Sequence, residues 1–319
     1  MKNIILMAII LIAASACKKA PDKFEDELAS PDIAALHLQA VARVETQFLD
    51  QGWVVSLSPD GNARHQGDSL IWSGLYLSAV TCDQAALTES TLQKAILDHH
   101  GELWRHWSID DASIDGAIGM FRGIAERLKR KCPNVGEWIF PLDALDTYAK
   151  AHNGSINHNS SAGLDAFGFI LDVLLDRVSA SPVGDYDPRR RDVLVQAVAG
   201  WAQAVRIGYD FWKAGVQKDP PAAFRVHLGL QVLETLEALN IEIPPNARDK
   251  FCQATDGMDL PTTDHWCGRA HIRDWINVFK YDEWEYRHQR AGAWEQPDGN
   301  GLRTPGIDLL KGIAQGFKI

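Results

Sequence analysis

The chain of 319 residues carries a formal net charge of −10 at pH 7. This acidity disfavours nucleic acid as a partner, because binding the phosphate backbone requires Lys and Arg side chains that displace counterions. It also argues mildly against polyanionic substrates. The length is sufficient for one large domain or two small ones, and we predict a single domain over 31–319.

The first 17 residues have the parts of an export signal. Lys2 provides a positive start, residues 4–14 form an uncharged apolar run, and small residues precede Cys17. An apolar run of about 11 residues spans only ~16 Å as a helix, which is too short for a ~30 Å hydrocarbon core. We therefore predict a signal peptide over 1–16. No other segment of the sequence has the uninterrupted apolar length of a membrane span.

Residues 14–17, with the sequence Ala-Ser-Ala-Cys, resemble the lipobox of bacterial lipoproteins, with Ala where that family prefers Leu. The resemblance implies that Cys17 is acylated and that 17–30 tether the protein to a membrane of the cell envelope. Lys18 follows the cysteine, and no Asp comes after it to resemble an inner-membrane retention signal. An outer-membrane location is therefore favoured. The alternative is an ordinary secretory signal that contains a cysteine.

Four further cysteines are available for disulfides, since an exported chain reaches an oxidising compartment. We favour a pairing of Cys252 with Cys267, because it would close a short irregular loop rich in Asp, Pro and Thr. Cys82 and Cys132 then remain to pair with each other. Spacing alone leaves three pairings open.

Apolar residues recur at helical spacing along most of the chain. The single short strand candidate is 53–57, so we predict an all-α fold. The predicted helices cover 31–48, 68–82, 88–104, 111–130, 135–152, 163–178, 190–214, 221–239, 245–253, 266–280 and 305–316.

A weak internal likeness relates 67–75 to 109–117. In each, an Asp (Asp68 or Asp110) stands six residues before a Gly at the start of an apolar helix, and the two segments lie 42 residues apart. An Asp at a helix start caps free N–H groups and complements the helix dipole. A Gly one or two turns later permits close approach of a neighbouring helix. A period of 42 residues is long enough for one pair of helices in each repeat.

Together these features resemble the α/α toroids, which are rings of helical hairpins. Many proteins of that architecture are glycoside hydrolases or polysaccharide lyases. The resemblance covers most of 31–316 in pattern alone, and it implies a complete or partial toroid with a glycan as the expected ligand.

Residues 280–300 concentrate acids, aromatics, arginines and a histidine where no apolar helical face dominates. Sugar hydrolysis requires two carboxyl groups, aromatic platforms and hydrogen-bonding side chains. Asp282 or Glu285 is the predicted catalytic carboxyl of this stretch, and Asp68 is its predicted partner. Acids and bases interleaved in this way also form solvated ion pairs, which is the structural alternative. The predicted substrate-binding residues are Trp72, Trp284, Arg287, His288, Trp294 and Glu295, with Trp104 and Trp107 as further stacking candidates. Further candidates for the two carboxyls are Asp110, Asp111, Asp115, Glu283 and Glu295.

Other chemistries have weaker support. The sequence has neither a Gly-x-Ser-x-Gly elbow nor a phosphate-binding Gly-rich loop. Asp264, His265, Cys267 and His271 suggest a metal site, but Cys267 is better used in a disulfide, so we predict no metal and no cofactor. The histidines at 99, 100 and 106 surround Glu102 and are typical of a surface loop.

Two functions follow as expectations. The first is a membrane-anchored, glycan-acting hydrolase, most simply an inverting enzyme with one proton-donating and one water-activating carboxyl. The second is a non-catalytic envelope lipoprotein that binds a glycan or a protein. An enzyme requires two carboxyl groups within ~5–10 Å of each other, whereas a binding protein needs only aromatics and hydrogen-bonding groups.

Overall fold

The computed structural model describes most of the chain between 33 and 269. The described residues are 33–57, 64–159, 163–179, 186–219, 221, 224–258, 260, 263 and 266–269. This part is mostly helical with little strand, which confirms the all-α prediction. The predicted signal peptide, Cys17 and the tether lie outside the described residues, and so do 270–319.

The described residues form nine α-helices and four two-residue strands. A π-helical turn, Val44–Phe48, extends α1, and short 3-10 turns precede α5 and α6. The helices are α1 (Ile33–Arg43), α2 (Ser69–Ala79), α3 (Cys82–Asp98), α4 (Ile114–Lys129), α5 (Ile139–Ala151), α6 (Gly168–Val178), α7 (Pro188–Lys213), α8 (Phe224–Ala238) and α9 (Pro245–Thr255). None of these helices is long and apolar enough to cross a bilayer.

The strands form two small antiparallel hairpins between α1 and α2. Strand β1 (Leu49–Asp50) pairs with β2 (Trp53–Val54), and β3 (Ser56–Leu57) pairs with β4 (Arg64–His65). The predicted strand 53–57 is thus divided between two hairpins. The Val54 amide donates to the Ser73 hydroxyl at 2.8 Å, which attaches this region to α2.

Helices buried on all sides alternate along the chain with helices buried on one face. Every residue of α2 is buried, as are all residues from 115 to 127 in α4 and from 226 to 236 in α8. In α7 the buried residues recur every three or four positions, which is the pattern of a helix with one face in solvent. This alternation is what a chain of helical hairpins predicts, and closure of the hairpins into a ring stays a prediction.

Helices α2 and α4 approach each other so closely that their backbones touch. A Cβ added at Gly74 would lie 2.3 Å from the Gly119 carbonyl carbon, and one at Gly123 would lie 2.3 Å from the Gly74 carbonyl oxygen. Such distances leave no room for any side chain. The predicted role of Gly74 in close helix packing is therefore confirmed, although its partners Gly119 and Gly123 were not among the predicted glycines. This contact lies between two buried helices of the core.

Helix α4 also carries two buried arginines that reach to different neighbours. Arg127 pairs with Glu89 of α3, and the same carboxylate accepts a hydrogen bond of 2.7 Å from the Trp138 indole. Arg122 donates to Glu126 at 2.9 Å and lies 3.6 Å from Glu234 of α8. A buried charge requires such partners, because an unpaired one costs several kcal/mol. The arginines therefore link α4 to α3 and to α8.

Both disulfides have the pairing favoured from the sequence. Cys82–Cys132 joins the start of α3 to the turn after α4, and Cys252–Cys267 closes a loop of 15 residues after α9. The first crosslink closes a segment of 50 residues. By lowering the conformational entropy of the unfolded chain, this crosslink stabilises the folded state by on the order of 4 kcal/mol.

Two local predictions are wrong. The helix predicted over 88–104 is α3, which begins at Cys82 because Thr81 and Gln84 form a capping box, and which ends at Asp98. The predicted capping by Asp68 and Asp110 is also absent. Asp68 makes no side-chain cap, and Ser113 caps α4 by accepting from the Gly116 amide. Of the helix predicted over 266–280, only 266–269 is described, and residues 267–269 are not helical; the helix predicted over 305–316 lies outside the described part.

We expect Gly74→Ala to destabilise the protein, because its methyl group would meet the α4 backbone. Overpacking of this kind costs roughly 1–3 kcal/mol or more. Gly200→Ala is the matched control, since an added Cβ at this exposed position of α7 has nothing within 4 Å. It is expected to stabilise the protein by up to about 1 kcal/mol through helix propensity. Urea unfolding followed by circular dichroism measures the free energy of unfolding of both variants. An equal change in Gly74→Ala and Gly200→Ala would contradict the close packing of α2 against α4.

Candidate functional site

The loops that precede the buried helices α2 and α4 meet at one end of the helical core. The α3–α4 connection, 99–113, turns sharply where His100 and Gly101 have φ angles of 55° and 96°. It contacts the segment before α2, since the Arg105 guanidinium donates to the Gly67 carbonyl at 3.1 Å. We call this end of the core the rim.

The segment 152–159, which follows α5, completes this side of the rim. The Leu103 amide donates to the Ile156 carbonyl at 2.9 Å, and the Asn157 side chain donates back to the Leu103 carbonyl at 3.0 Å. These bonds fix the 152–159 segment against the 99–113 loop. Polar side chains of the two segments are therefore held next to each other.

Glu102, Asp110 and His158 converge between the two segments, and we call them the rim triad. The His158 Nδ1 lies 2.9 Å from the Glu102 Oε1, and its Nε2 lies 3.3 Å from the Asp110 Oδ2. One ligand atom from each residue lies within 4.8 Å of those of the other two. His158 has 53% of its side chain exposed, so the triad is open to solvent.

Neighbouring side chains hold the two carboxylates in place. Asp110 accepts hydrogen bonds from the Asn157 and Asn159 side-chain amides at 3.2 and 2.9 Å. Glu102 accepts from the Trp104 indole at 3.2 Å and interacts with the Tyr148 hydroxyl. Both carboxylates thus have fixed orientations before any ligand arrives.

These contacts keep Glu102 ionised. Partial burial acts to raise the pKa of Glu102, but its interactions with Tyr148, Trp104 and His158 outweigh it, so the pKa lies below its usual value. Burial and the same carboxylate raise the pKa of Tyr148 to about 12. Tyr148 therefore stays protonated, and Glu102 stays ionised.

The 99–113 loop carries two indole rings. Trp104 stacks on the His99 ring at 3.6 Å between centroids and with an interplanar angle of 13°. Trp107 has 52% of its side chain exposed, which is unusual for so large an apolar ring. Both indoles belong to the 99–113 loop and lie on the rim.

Arg105 forms a second charged group on the rim. Its Nε lies 3.0 Å from Asp111, and its Nη1 lies 3.9 Å from Asp68. The predicted catalytic Asp68 is therefore at the rim, where it lies close to the Arg105 cation. Asp115 lies in the first turn of α4 and is buried.

No family model, curated protein or solved structure matches the chain. Function is therefore inferred from the geometry of the chain itself.

The structure separates the predicted site residues into three groups. Asp68 and the further candidates Asp110, Asp111, Trp104 and Trp107 lie on the rim. Trp72 is 2% exposed and packs in the core, so it presents no surface for stacking. The remaining predicted residues lie outside the described part of the chain: Asp282, Trp284, Glu285, Arg287, His288, Trp294 and Glu295.

Neither Glu102 nor His158 is among the site residues predicted from the sequence. Glu102 stands among the histidines that were interpreted as a surface loop, and His158 is 56 residues away along the chain. The sequence signal that could have indicated this site is the Asn-His-Asn triplet at 157–159, which follows a helix. Side chains of these types can donate hydrogen bonds to carboxylates. Nothing in the spacing, however, indicates which acids it meets.

A groove of about 530 Å³ between α7 and α9 is a further concave surface. It is lined by charged and polar residues that include Arg191, Asp192 and Lys250. Arg191 and Asp192 already pair with each other at 2.8 Å.

His106 is a buried histidine of the rim loop, packed near Trp53 and Trp107. Burial lowers its pKa to about 4, which the charge of Asp50 opposes only in part. Its Nδ1 lies 2.8 Å from the Ser108 hydroxyl and 3.3 Å from the Ser108 amide, and the lowered pKa keeps the ring neutral at pH 7.

We expect acidification from pH 6.5 to 4 to lower the free energy of unfolding, because unfolded His106 takes up a proton in this window and folded His106 does not. The contribution approaches ~1.4 kcal/mol per pH unit at most. His106→Asn keeps an acceptor for Ser108 and removes the titration, so its stability should fall less steeply. Urea unfolding at several pH values measures both slopes; parallel curves would exclude His106 as the source.

Proposed function

We propose that the chain is a membrane-anchored envelope lipoprotein whose helical domain binds a glycan at the rim. The export signal and the lipobox resemblance of residues 14–17 support the anchor, and Lys18 after the cysteine favours the outer membrane. Two disulfides are consistent with an oxidising compartment. The proposal for the ligand rests on the rim.

The observation that carries the glycan proposal is the combination of two oriented carboxylates with one exposed indole, Trp107, and one half-buried indole, Trp104, which stacks on His99. Carboxylates accept hydrogen bonds from sugar hydroxyls, and indole faces pack against the apolar faces of sugar rings. Glu102 and Asp110 supply the acceptors, and Trp104 and Trp107 supply the rings. The lowered pKa of Glu102 keeps it in its accepting form at neutral pH.

Hydrolysis is the second candidate function, and the spacing of the carboxylates favours it. Oxygens of Glu102 and Asp110 lie within 4.8 Å of each other, which is near the ~5–5.5 Å of retaining glycosidases and below the ~6.5–9.5 Å of inverting ones. The lowered pKa of Glu102 suits a nucleophile. Asp110 would then have to be the proton donor.

We expect Glu102→Gln and Asp110→Asn each to weaken glycan binding by roughly tenfold or more, the effect of losing a hydrogen bond to a charged group. Calorimetric titration of the purified full-length chain with polysaccharides and peptidoglycan fragments measures the affinity. Asp249→Asn, at an exposed position of α9, is the matched control. Unchanged affinity in both rim variants, or no affinity for any glycan of the panel, would contradict the proposal.

The release of reducing ends from the same substrates distinguishes an enzyme from a binding protein. Release that Glu102→Gln abolishes would establish hydrolysis at the rim. Release lost instead in Asp68→Asn or Glu285→Gln would assign it to the residues selected from the sequence. Binding without release identifies a non-catalytic lipoprotein.

We expect the chain to incorporate labelled palmitate and to sediment with membranes. Cys17→Ser should abolish both, because the thiol that carries the lipid is lost, and should move the protein to the soluble fraction. Cys17 is the residue to change because Cys82, Cys132, Cys252 and Cys267 are held in disulfides. Membrane attachment that survives Cys17→Ser would exclude the lipid anchor.

A further inference from the structure

We infer that Glu102, Asp110 and His158 form a zinc site on the rim. The set combines an imidazole nitrogen with two carboxylate oxygens, which are ligand types that Zn²⁺ prefers. An imidazole disfavours Ca²⁺ and Mg²⁺, which select oxygen ligands. The ligand set therefore points to a transition metal rather than to a hard cation.

The distances within the triad require only a small contraction around the ion. Zinc bonds of ~2.0–2.2 Å in tetrahedral geometry place neighbouring ligand atoms ~3.4 Å apart. In the triad, the Glu102 Oε1 lies 2.9 Å from the His158 Nδ1, whereas the Asp110 Oδ2 lies 3.3 Å from the His158 Nε2. A zinc ion binds one of these nitrogens, so the acid on the other nitrogen has to exchange that contact for the ion. One nitrogen of His158 and one oxygen of each carboxylate already fall within 4.8 Å of one another, so no pair of ligand atoms would approach by more than ~1.4 Å.

The surroundings resemble the outer layer of a metal site. Metal-binding carboxylates are oriented by hydrogen bonds from neighbours that do not touch the ion. Asn157 and Asn159 orient Asp110 in this way, and Trp104 orients Glu102. The ligands come from two chain segments that backbone hydrogen bonds hold together, so little loop ordering remains when the ion binds.

Three protein ligands leave at least one coordination position of zinc open for water or for an oxygen of a ligand. The inference rests on the proposed function in this respect, because it specifies how the rim holds an oxygen-rich ligand such as a glycan. Cysteine ligation is not involved, since Cys252 and Cys267 form a disulfide.

The test is a zinc titration of the full-length chain after treatment with EDTA, in competition with a chromophoric chelator. We expect one zinc ion per chain, and weakening by at least roughly tenfold in each of Glu102→Gln, Asp110→Asn and His158→Gln, since loss of even a supporting neighbour has that effect. Zinc should also raise the melting temperature of the wild type and not that of the three variants. Ca²⁺ should bind far more weakly than zinc.

His100→Asn is the matched histidine control. His100 is an exposed histidine two residues before Glu102, and Asn tolerates its positive φ of 55°. This variant and Asp249→Asn should bind zinc as the wild type does. Zinc binding of equal strength in all three triad variants would overturn the inference. An absence of zinc binding by the wild type would also overturn the inference. Any fall in the melting temperature of His158→Gln would then come from loss of the imidazole that bridges two acids, and not from loss of a bound ion.

Glycan titration with and without zinc separates this inference from the proposed function. Tighter glycan binding in the presence of zinc supports both. Equal glycan binding in both conditions overturns the role of zinc and leaves the glycan proposal intact. Zinc binding with no glycan affinity supports the metal site and contradicts the glycan proposal.

Discussion

The backbone contact between α2 and α4 is the constraint on which the described structure depends. Gly74 and Gly119 have no side chains, so the two helices pack with almost no space between their main chains. Helix α4 is thereby buried on all sides, and its arginines reach α3 and α8 through Glu89 and Glu234. A change in this contact displaces three neighbouring helices at once.

The position of the rim follows from the same contact. Because α2 and α4 lie side by side, the loops that enter them are brought together, and Arg105 touches Gly67 and Asp111. The loop 99–113 therefore has a rigid base although it contains no long element of its own. A rigid base under polar side chains is what a binding site requires, because little ordering remains to oppose the ligand.

The sequence predicts the features that depend on residues near one another in the chain. Helical periodicity, the glycine of α2 at position 74, and the short spacing of Cys252 and Cys267 are of this kind. A local signal was also overlooked at Thr81, whose capping box sets the start of α3. The rim triad was not predicted because its partners are chosen by packing: Glu102 and His158 meet only when α5 returns along α3 and the 152–159 segment pairs with the 99–113 loop.

The Cys82–Cys132 disulfide bears on how the fold withstands proteolysis. The loop 99–113, which is exposed at His100, Trp107 and Ser108, lies between the two crosslinked cysteines. A protease that cuts this loop would leave both fragments joined covalently through the helices on either side. The core contacts of α2, α3 and α4 would then hold the cut ends near their original positions, and a nicked molecule would still present Glu102 and Asp110 on the same surface.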